Sequence, residues 1–197
     1  CRELERQHGL VSATDKEHKQ NDKIFSPVNY QKGDVKSQIA SVVRHLPNYY
    51  QYQTLGEYNA LLSLFNITTE KVEGELQGKS QQGLLYIPLN KEGERAGHPF
   101  KASLFGKNAG LPTLELHFAK SKEALKDHPT KPTIKATVTI ALQSTSDEQA
   151  FKKRLGEQGI NVVVRRNDTG RIYGITFIDH NSKAMWNGSR LGKELSA

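Results

Sequence analysis

Cysteine is almost absent from this 197-residue chain, because Cys1 is the only one. A single thiol cannot form an internal disulfide bond, and the seven histidines form no cluster with cysteine at zinc spacing. Chains of this kind are typical of a reducing compartment, so we expect a cytoplasmic protein. The sequence predicts no metal ion and no other cofactor in this chain.

Long apolar runs are also missing. No segment approaches the roughly 18 consecutive apolar residues of a membrane span, and no signal peptide is visible, so we expect no membrane partner. Hydrophobic residues make up 36% of the chain and its mean hydropathy is −0.64. Any core must therefore come from apolar residues at regular spacing and not from their abundance.

Basic residues are in excess over acidic ones. Lys and Arg number 28 against 21 Asp and Glu, which gives a net charge of +7 and an isoelectric point near 9.4. This balance favours a polyanionic partner such as DNA or RNA. Many basic domains bind no nucleic acid, so the charge alone leaves both interpretations open.

The first 32 residues predict no core of their own. Residues 1–9 (CRELERQHG) have the pattern of the last turns of a helix, which indicates a chain that continues upstream. Residues 11–32 are mostly polar, and Pro27 lies near their end. We therefore interpret residues 1–32 as the end of an upstream helix followed by a linker or extended arm.

Two α+β units are predicted after this arm, over residues 33–128 and 129–197. The first unit starts with a helix that we expect to end at Pro47. Its apolar face consists of Ile39, Val42, Val43 and Leu46. Thr54 and Glu57 form a capping box for a second helix. Strands are then expected at residues 71–77 and 83–89, with hairpin turn chemistry at residues 90–93.

The second half repeats this order of elements. Asp147 is a predicted cap for a helix, residues 160–166 and 172–179 are expected strands, and residues 167–170 form the turn between them. The matching residue pairs are Tyr58 with Phe151, Leu62 with Leu155, and Ile67 with Ile160, all at an offset of 93. The offset falls to 91 in the hairpin and to 86 in the last segment. Length differences thus fall in turns, which is typical of a duplication, so the predicted fold is two tandem, diverged copies of a helix-helix-hairpin-strand unit.

Candidate catalytic groups are few. Asp179 and His180 are the only adjacent acid and histidine, and their position at a strand end favours hydrogen bonding within a turn. Tyr49, Tyr50 and Tyr52 follow Pro47, but no neighbouring residue would activate a phenol as a nucleophile. We expect these tyrosines to pack in the core or between the units, and we predict no catalytic residue and no metal ligand in this chain.

Two segments with a shared pattern are candidate phosphate contacts. Residues 101–107 (KASLFGK) and 187–193 (NGSRLGK) both have a serine at a helix start and a lysine four residues later, which would form a small anion site. The P-loop spacing is absent, and an N-cap with a surface lysine is at least as good an interpretation. The candidate DNA-binding residues in these segments are Lys101, Lys107, Arg190 and Lys193.

A third basic group surrounds the predicted hairpin turn. Arg165, Arg166 and Arg171 flank this turn, and Lys183 follows the second strand. Because neighbours in a strand point to opposite faces, only one of Arg165 and Arg166 can join a single patch. We therefore add Arg165, Arg171 and Lys183 to the predicted DNA-binding residues, as a positive rim that positions phosphates without reading sequence.

Residues 170–180 (GRIYGITFIDH) and 187–197 (NGSRLGKELSA) resemble the mobilisation relaxases, which are nucleases that nick a transfer origin. Residues 55–62 (LGEYNALL) and 99–107 (PFKASLFGK) resemble the same proteins. In that family a nucleophilic tyrosine and a histidine-hydrophobic-histidine site for a divalent metal come first, followed by a helix similar to residues 1–9. The resemblance therefore implies a segment that follows the nuclease domain, and it carries no catalytic or metal residue over to this chain.

This resemblance implies a role in conjugative mobilisation of a plasmid or transposon. Our first hypothesis is a non-catalytic region that holds transfer-origin DNA, single-stranded or duplex, while the nuclease domain cuts. It predicts a DNA affinity that falls steeply with salt. The alternative is a module that docks an accessory or coupling protein, which predicts an exposed apolar patch and weak DNA binding. An independent small enzyme would need converging titratable groups, which the spacing does not offer.

Overall fold

The computed structural model describes residues 26–76 and 79–196. Within these residues it has six α-helices and two antiparallel sheets of three strands each, which confirms the expected α+β class. The helix end expected at residues 1–9 and most of the expected arm lie outside the described residues. No helix of the described chain combines the length and the apolar character that a membrane crossing needs.

The first half starts with the end of the expected arm, which packs against the rest of the protein. Val28 is 1% exposed and its N–H donates to the Phe65 carbonyl at 2.9 Å. The elements that follow are α1 (Val35–Tyr49), α2 (Leu55–Ser63), β1 (Ile67–Leu76), β2 (Lys79–Pro88), β3 (Phe100–Lys101), two 3-10 turns (Ala102–Phe105 and Lys107–Ala109) and α3 (Leu111–Ala124).

The second half has a similar order of elements. They are α4 (Lys131–Gln143), α5 (Glu148–Gly156), β4 (Ile160–Arg166), β5 (Ile172–Asp179), β6 (Ala184–Asn187), α6 (Gly188–Leu191) and a 3-10 turn (Lys193–Leu195). The strands expected at residues 160–166 and 172–179 are confirmed. The turn between them is confirmed as well, because the Gly170 N–H donates to the Asn167 carbonyl at 2.8 Å.

Both predicted helix caps are present. The Thr54 hydroxyl accepts from the Glu57 N–H at 3.1 Å at the start of α2, and the Asp147 carboxylate accepts from the Ala150 N–H at 2.8 Å at the start of α5. Each cap satisfies an amide that the first helical turn leaves without a backbone partner. α2 and α5 each have nine residues, and they begin 93 residues apart.

The first half departs from expectation at three element boundaries. α1 continues through Pro47 to Tyr49, so the prediction that Pro47 ends the helix is wrong. Pro47 lies in the last turn, where its missing N–H removes one bond while the Tyr50 N–H still donates to the Leu46 carbonyl. β1 and β2 are also longer than expected, because both begin four residues earlier, at Ile67 and Lys79.

Each sheet packs one face against the helices of its own half. Tyr58, Leu61 and Leu62 of α2 share the first core with Ile67 and Tyr86 of the first sheet. The second core is formed by side chains from α4, α5 and the second sheet, among them Val138, Leu155, Ile160, Phe177 and Trp186. The central strand of each sheet is the second strand of its hairpin.

The opposite faces of the two sheets differ. On the second sheet, Val163, Ile178 and Met185 point away from their own helices and join the first core, because side chains alternate along a strand. A parallel bridge between Gln51 and Ala184 fixes the segment before α2 against β6. The first half thus covers the second sheet, whereas the corresponding face of the first sheet carries the exposed residues Glu70 and Lys101.

Candidate nucleic-acid interface

The open face of the first sheet forms a groove that contains two of the predicted DNA-binding residues. We call it the open groove. It has a volume of about 520 Å³ and its lining includes Val72, Leu85, Lys101, Ser103, Lys107 and Leu111. These residues come from β1, β2, β3, the 3-10 turns and the start of α3. The structure therefore brings Lys101 and Lys107 together over a largely apolar floor.

Local structure holds both lysines at the rim of the open groove. Lys101 is in β3 opposite Leu85, and Gly106 adopts a φ of 100° that turns the chain before Lys107. The Thr113 hydroxyl donates to the Lys107 carbonyl at 3.1 Å, which ties this turn to α3. Both ammonium groups are exposed, and neither forms an ion pair with a described residue.

A second groove lies at the corresponding position of the second sheet. We call it the closed groove, because its volume is about 200 Å³ and Arg165 lies in it. Its lining includes Gly174, Asn187 and Ser189, which correspond by the sequence offsets to Gly83, Lys101 and Ser103 of the open groove.

Arg165 is held between the two halves. An added Cβ at Gly56 of α2 or at Gly174 of β5 would clash with its guanidinium. Its Nη2 donates at 3.5 Å to Thr176 and to Asn187, and its charge lies 5.6 Å from the centre of the Tyr173 ring. The structure therefore places Arg165 in a half-buried contact and not on a solvent-facing rim. Arg166 points to the other face, as expected, and pairs with Glu148.

The remaining predicted residues do not form one rim. Arg171 precedes β5 and Lys183 follows it, so about 20 Å of strand separates them. Lys183 has a φ of 60°, and its Nζ lies 5.1 Å from the centre of the Tyr50 ring. Lys193 is exposed in the last 3-10 turn. Sequence neighbours around the hairpin are thus spread along the length of the second sheet.

A buried carboxylate lies where α2 meets the second half. Glu57 is 0% exposed, and its carboxylate accepts from the Gln53 N–H at 2.5 Å instead of from the Thr54 N–H that a capping box would supply. The Arg190 Nε lies 3.9 Å from Glu57, and the Arg190 side chain also donates to the Gln53 amide oxygen. Burial raises the pKa of Glu57, while the Gln53 N–H and the nearby arginines oppose this effect.

Arg190 also lines a pocket that the sequence analysis did not identify. This seam pocket has a volume of about 340 Å³, and its lining includes Gln53, Lys122, Lys126, Lys131, Trp186 and Arg190. Lys122 is near the end of α3, Lys126 follows that helix, and Lys131 starts α4, whereas Trp186 and Arg190 come much later in the chain. Only the fold brings these basic residues together, which is why spacing in the sequence gives no sign of the pocket.

Tyr50, Tyr52 and His180 have structural partners. Tyr52 is fully buried and stacks on Tyr58 with ring centres 4.8 Å apart, which confirms the expected core packing for Tyr52, whereas Tyr49 is 39% exposed. The Tyr50 hydroxyl lies 2.7 Å from His180 Nδ1, and burial raises the pKa of Tyr50, with Asp179 adding to this effect. A higher pKa is the opposite of what a tyrosine nucleophile needs.

The acid and histidine pair follows the expected turn chemistry. The Asp179 carboxylate accepts from the Asn181 and Ser182 N–H groups at 3.1 and 3.2 Å. Within residues 26–76 and 79–196, no group of three or more His, Cys, Asp or Glu side chains is arranged to hold a metal ion.

Comparison of the chain with protein-family models, with curated proteins and with solved structures gives no match.

Proposed function

We propose that this chain is a non-catalytic, DNA-binding region of a relaxase, which holds transfer-origin DNA while a separate nuclease domain nicks it. The observation that carries this proposal is the open groove with Lys101 and Lys107 on its rim. The divalent metal implied by the resemblance belongs to the nuclease domain, and no residue of this chain is proposed as its ligand. The role implies a cytoplasmic protein.

The chemistry of the open groove suits single-stranded DNA. Exposed ammonium groups without a carboxylate partner attract phosphates by Coulomb forces and by the release of condensed counterions. The apolar side chains between them, among them Leu85 and Leu111, offer a surface against which unstacked bases lose contact with water. Such contacts position a strand without reading its sequence.

We also propose that the two halves are diverged copies of one unit. Three facts support a duplication: α2 and α5 match at an offset of 93, the open and closed grooves have corresponding linings, and the sheet pairings agree. Tyr86 pairs with Phe100 in the first sheet as Phe177 pairs with Trp186 in the second. In this view the first copy retains an open groove for DNA, and the second copy uses the same face for internal packing.

A salt titration with fluorescent single-stranded DNA tests the DNA-binding proposal. The double variant Lys101→Ala, Lys107→Ala should bind more weakly. For single strands each lost phosphate contact makes the fall of log K with log salt less steep by about 0.7, so the loss of two contacts should make it less steep by about 1.4. The matched control is Lys36→Ala, Lys153→Ala, which removes the same charge from exposed positions on α1 and α5.

Two outcomes would contradict the DNA-binding proposal. One is the absence of binding by the parent chain at low salt. The other is an equal loss of affinity in both double variants, because that result would assign the binding to net charge and not to the open groove.

A second candidate function is the docking of an accessory or coupling protein of the transfer machinery. The apolar floor of the open groove favours it, as does Leu116 of α3, which is 65% exposed. The double variant Lys101→Ala, Lys107→Ala separates the two functions. It should weaken DNA binding, because it removes the phosphate contacts, whereas it should preserve docking of an apolar protein segment on the unchanged floor.

A further inference from the structure

The seam pocket gathers more positive charge than its acids neutralise. Lys122, Lys126 and Lys131 line it, and none of the three forms an ion pair with a described residue. The fourth cation, Arg190, is balanced by the buried Glu57, and Glu123 is an acid in the lining. Like charges that converge on one pocket repel one another unless an anion lies between them. The pocket thus has an uncompensated positive charge.

Trp186 also lines the pocket. It is 1% exposed, and the Nζ of Lys131 lies 5.7 Å from the centre of its ring. The indole is therefore in contact with the same basic cluster.

We infer that the seam pocket binds a phosphate group. A volume of about 340 Å³ is at the lower end of the range for small-molecule sites, so the pocket has room for a phosphate and part of the group attached to it. The lysines in the lining neutralise the charge of the phosphate. The phosphate belongs either to the DNA backbone or to a free phosphate compound. The first case depends on the proposed DNA-binding function, and the second does not.

The single tryptophan makes this inference directly testable in the whole chain. Trp186 is the only tryptophan in the sequence, so any change in tryptophan fluorescence reports on this pocket. The Lys131 Nζ lies 5.7 Å from the centre of the indole ring, and a phosphate that attracts this ammonium would alter the emission. We expect a saturable change when inorganic phosphate is added, and no such change with sodium chloride of equal ionic strength.

Lysine variants at the end of α3 and just after it test where the phosphate binds. Lys122→Ala and Lys126→Ala should each raise the dissociation constant for phosphate about fivefold to tenfold. Lys120→Ala removes the same charge from an exposed position of α3 outside the pocket lining, and it should leave the constant unchanged. Equal effects of Lys120→Ala and Lys122→Ala would overturn the inference. So would the absence of a saturable response both in fluorescence and in the phosphorus NMR signal of the added phosphate.

A competition experiment identifies the source of the phosphate. If a single-stranded oligonucleotide displaces inorganic phosphate, the pocket binds the DNA backbone. If phosphate binds and the oligonucleotide neither displaces it nor binds the chain, the inference of a phosphate site is supported and the proposed DNA-binding function is refuted. If the oligonucleotide binds through Lys101 and Lys107 while the pocket gives no phosphate response in either signal, the DNA-binding function stands and the pocket inference fails.

Discussion

The two sheets have the same strand order and hairpin pairing, yet they use their second faces differently. The second sheet is covered on both faces, because Val163, Ile178 and Met185 join the core of the first half. The first sheet is covered by its own helices on one face, and its other face contains the open groove. A shared strand order therefore leaves this face open on the first sheet and covers it on the second.

The polar residues follow the same division. At the position where the open groove has Val72, the closed groove has Arg165, whose guanidinium fills the space beneath α2. The buried Glu57 lies beside this contact and beside Arg190. Charged groups at the seam are thus part of the packing between halves. Lys101 and Lys107, in contrast, form no ion pair with a described residue, although Glu73 also lines the open groove.

The largest effect is expected at Met185, which is 0% exposed on the covered face of the second sheet. Met185→Ala should lower the free energy of unfolding by about 2–5 kcal/mol, because it leaves a cavity between the halves. The corresponding residue of the first sheet is Pro99, which is exposed. Pro99→Ala should change stability by less than about 1 kcal/mol. Urea denaturation measures the free energy of unfolding of both variants. Similar losses of stability in the two would refute the contrast between the covered and the open face.

A smaller loss is expected at Gly188, which corresponds to Ala102 in the first half. A Cβ at Gly188 would clash with the Leu195 carbonyl, so the 3-10 turn after α6 would have to move. Gly188→Ala should therefore cost about 1–3 kcal/mol. Gly156→Ala is a suitable control, because a Cβ at that position meets no atom within 4 Å. Equal stability of the two variants would contradict the prediction, because it would mean that position 188 tolerates the alanine that the first half has at the corresponding position, Ala102.

The buried carboxylate predicts a dependence of stability on pH. Because burial raises the pKa of Glu57, the folded chain holds this proton to a higher pH than the unfolded chain does. The contribution of Glu57 to stability should therefore fall as the pH rises above its usual pKa of 4.5. Glu57→Gln should remove this component, so the parent and the variant should differ in slope from pH 4.5 upward. Glu92→Gln, in an exposed turn, should follow the parent. Parallel curves for all three proteins would contradict the prediction.

The smallest effect is expected at Glu148, whose counterpart in the first half is Leu55. Arg166 and Lys152 lower the pKa of Glu148 to about 2. Because solvent screens this group, Glu148→Ala should cost only about 0.5–1 kcal/mol near neutral pH. The loss should become smaller as the pH falls from 4.5 towards 2, since the parent then protonates more of the carboxylate. Thermal unfolding across this range measures the loss, and a loss of undiminished size at pH 2 would point to packing and not to charge.

Local signals in the sequence predicted part of this fold correctly. Thr54 and Asp147 mark helix starts because their side chains accept hydrogen bonds from free amides, and residues 167–170 mark a turn between β-branched runs. The helix at Leu111–Ala124 was missed, although Pro112 in its first turn and the spacing of Leu114, Phe118 and Leu125 are helix signals. The prediction that the helix ends at Pro47 is wrong, because a proline in the last turn of a helix removes only one hydrogen bond.

The candidate sites were harder to predict than the elements. Lys101 and Lys107 are close in sequence, so a local pattern could find them. Arg165 has the appearance of a surface arginine until α2 is known to cover it. The contact between Arg190 and Gln53 joins residues 137 positions apart, and the seam pocket depends on such long-range contacts. Spacing along the chain contains no information about them.

Hydrogen exchange of the whole chain, with and without single-stranded DNA, tests the central contrast most directly. The account predicts slower exchange on DNA binding in residues 81–86 and 101–112, which surround the open groove. It predicts no change in the corresponding residues 172–177 of the second sheet, because the first half already covers that face. Protection confined to residues 172–177, or no protection at saturating DNA, would contradict the account.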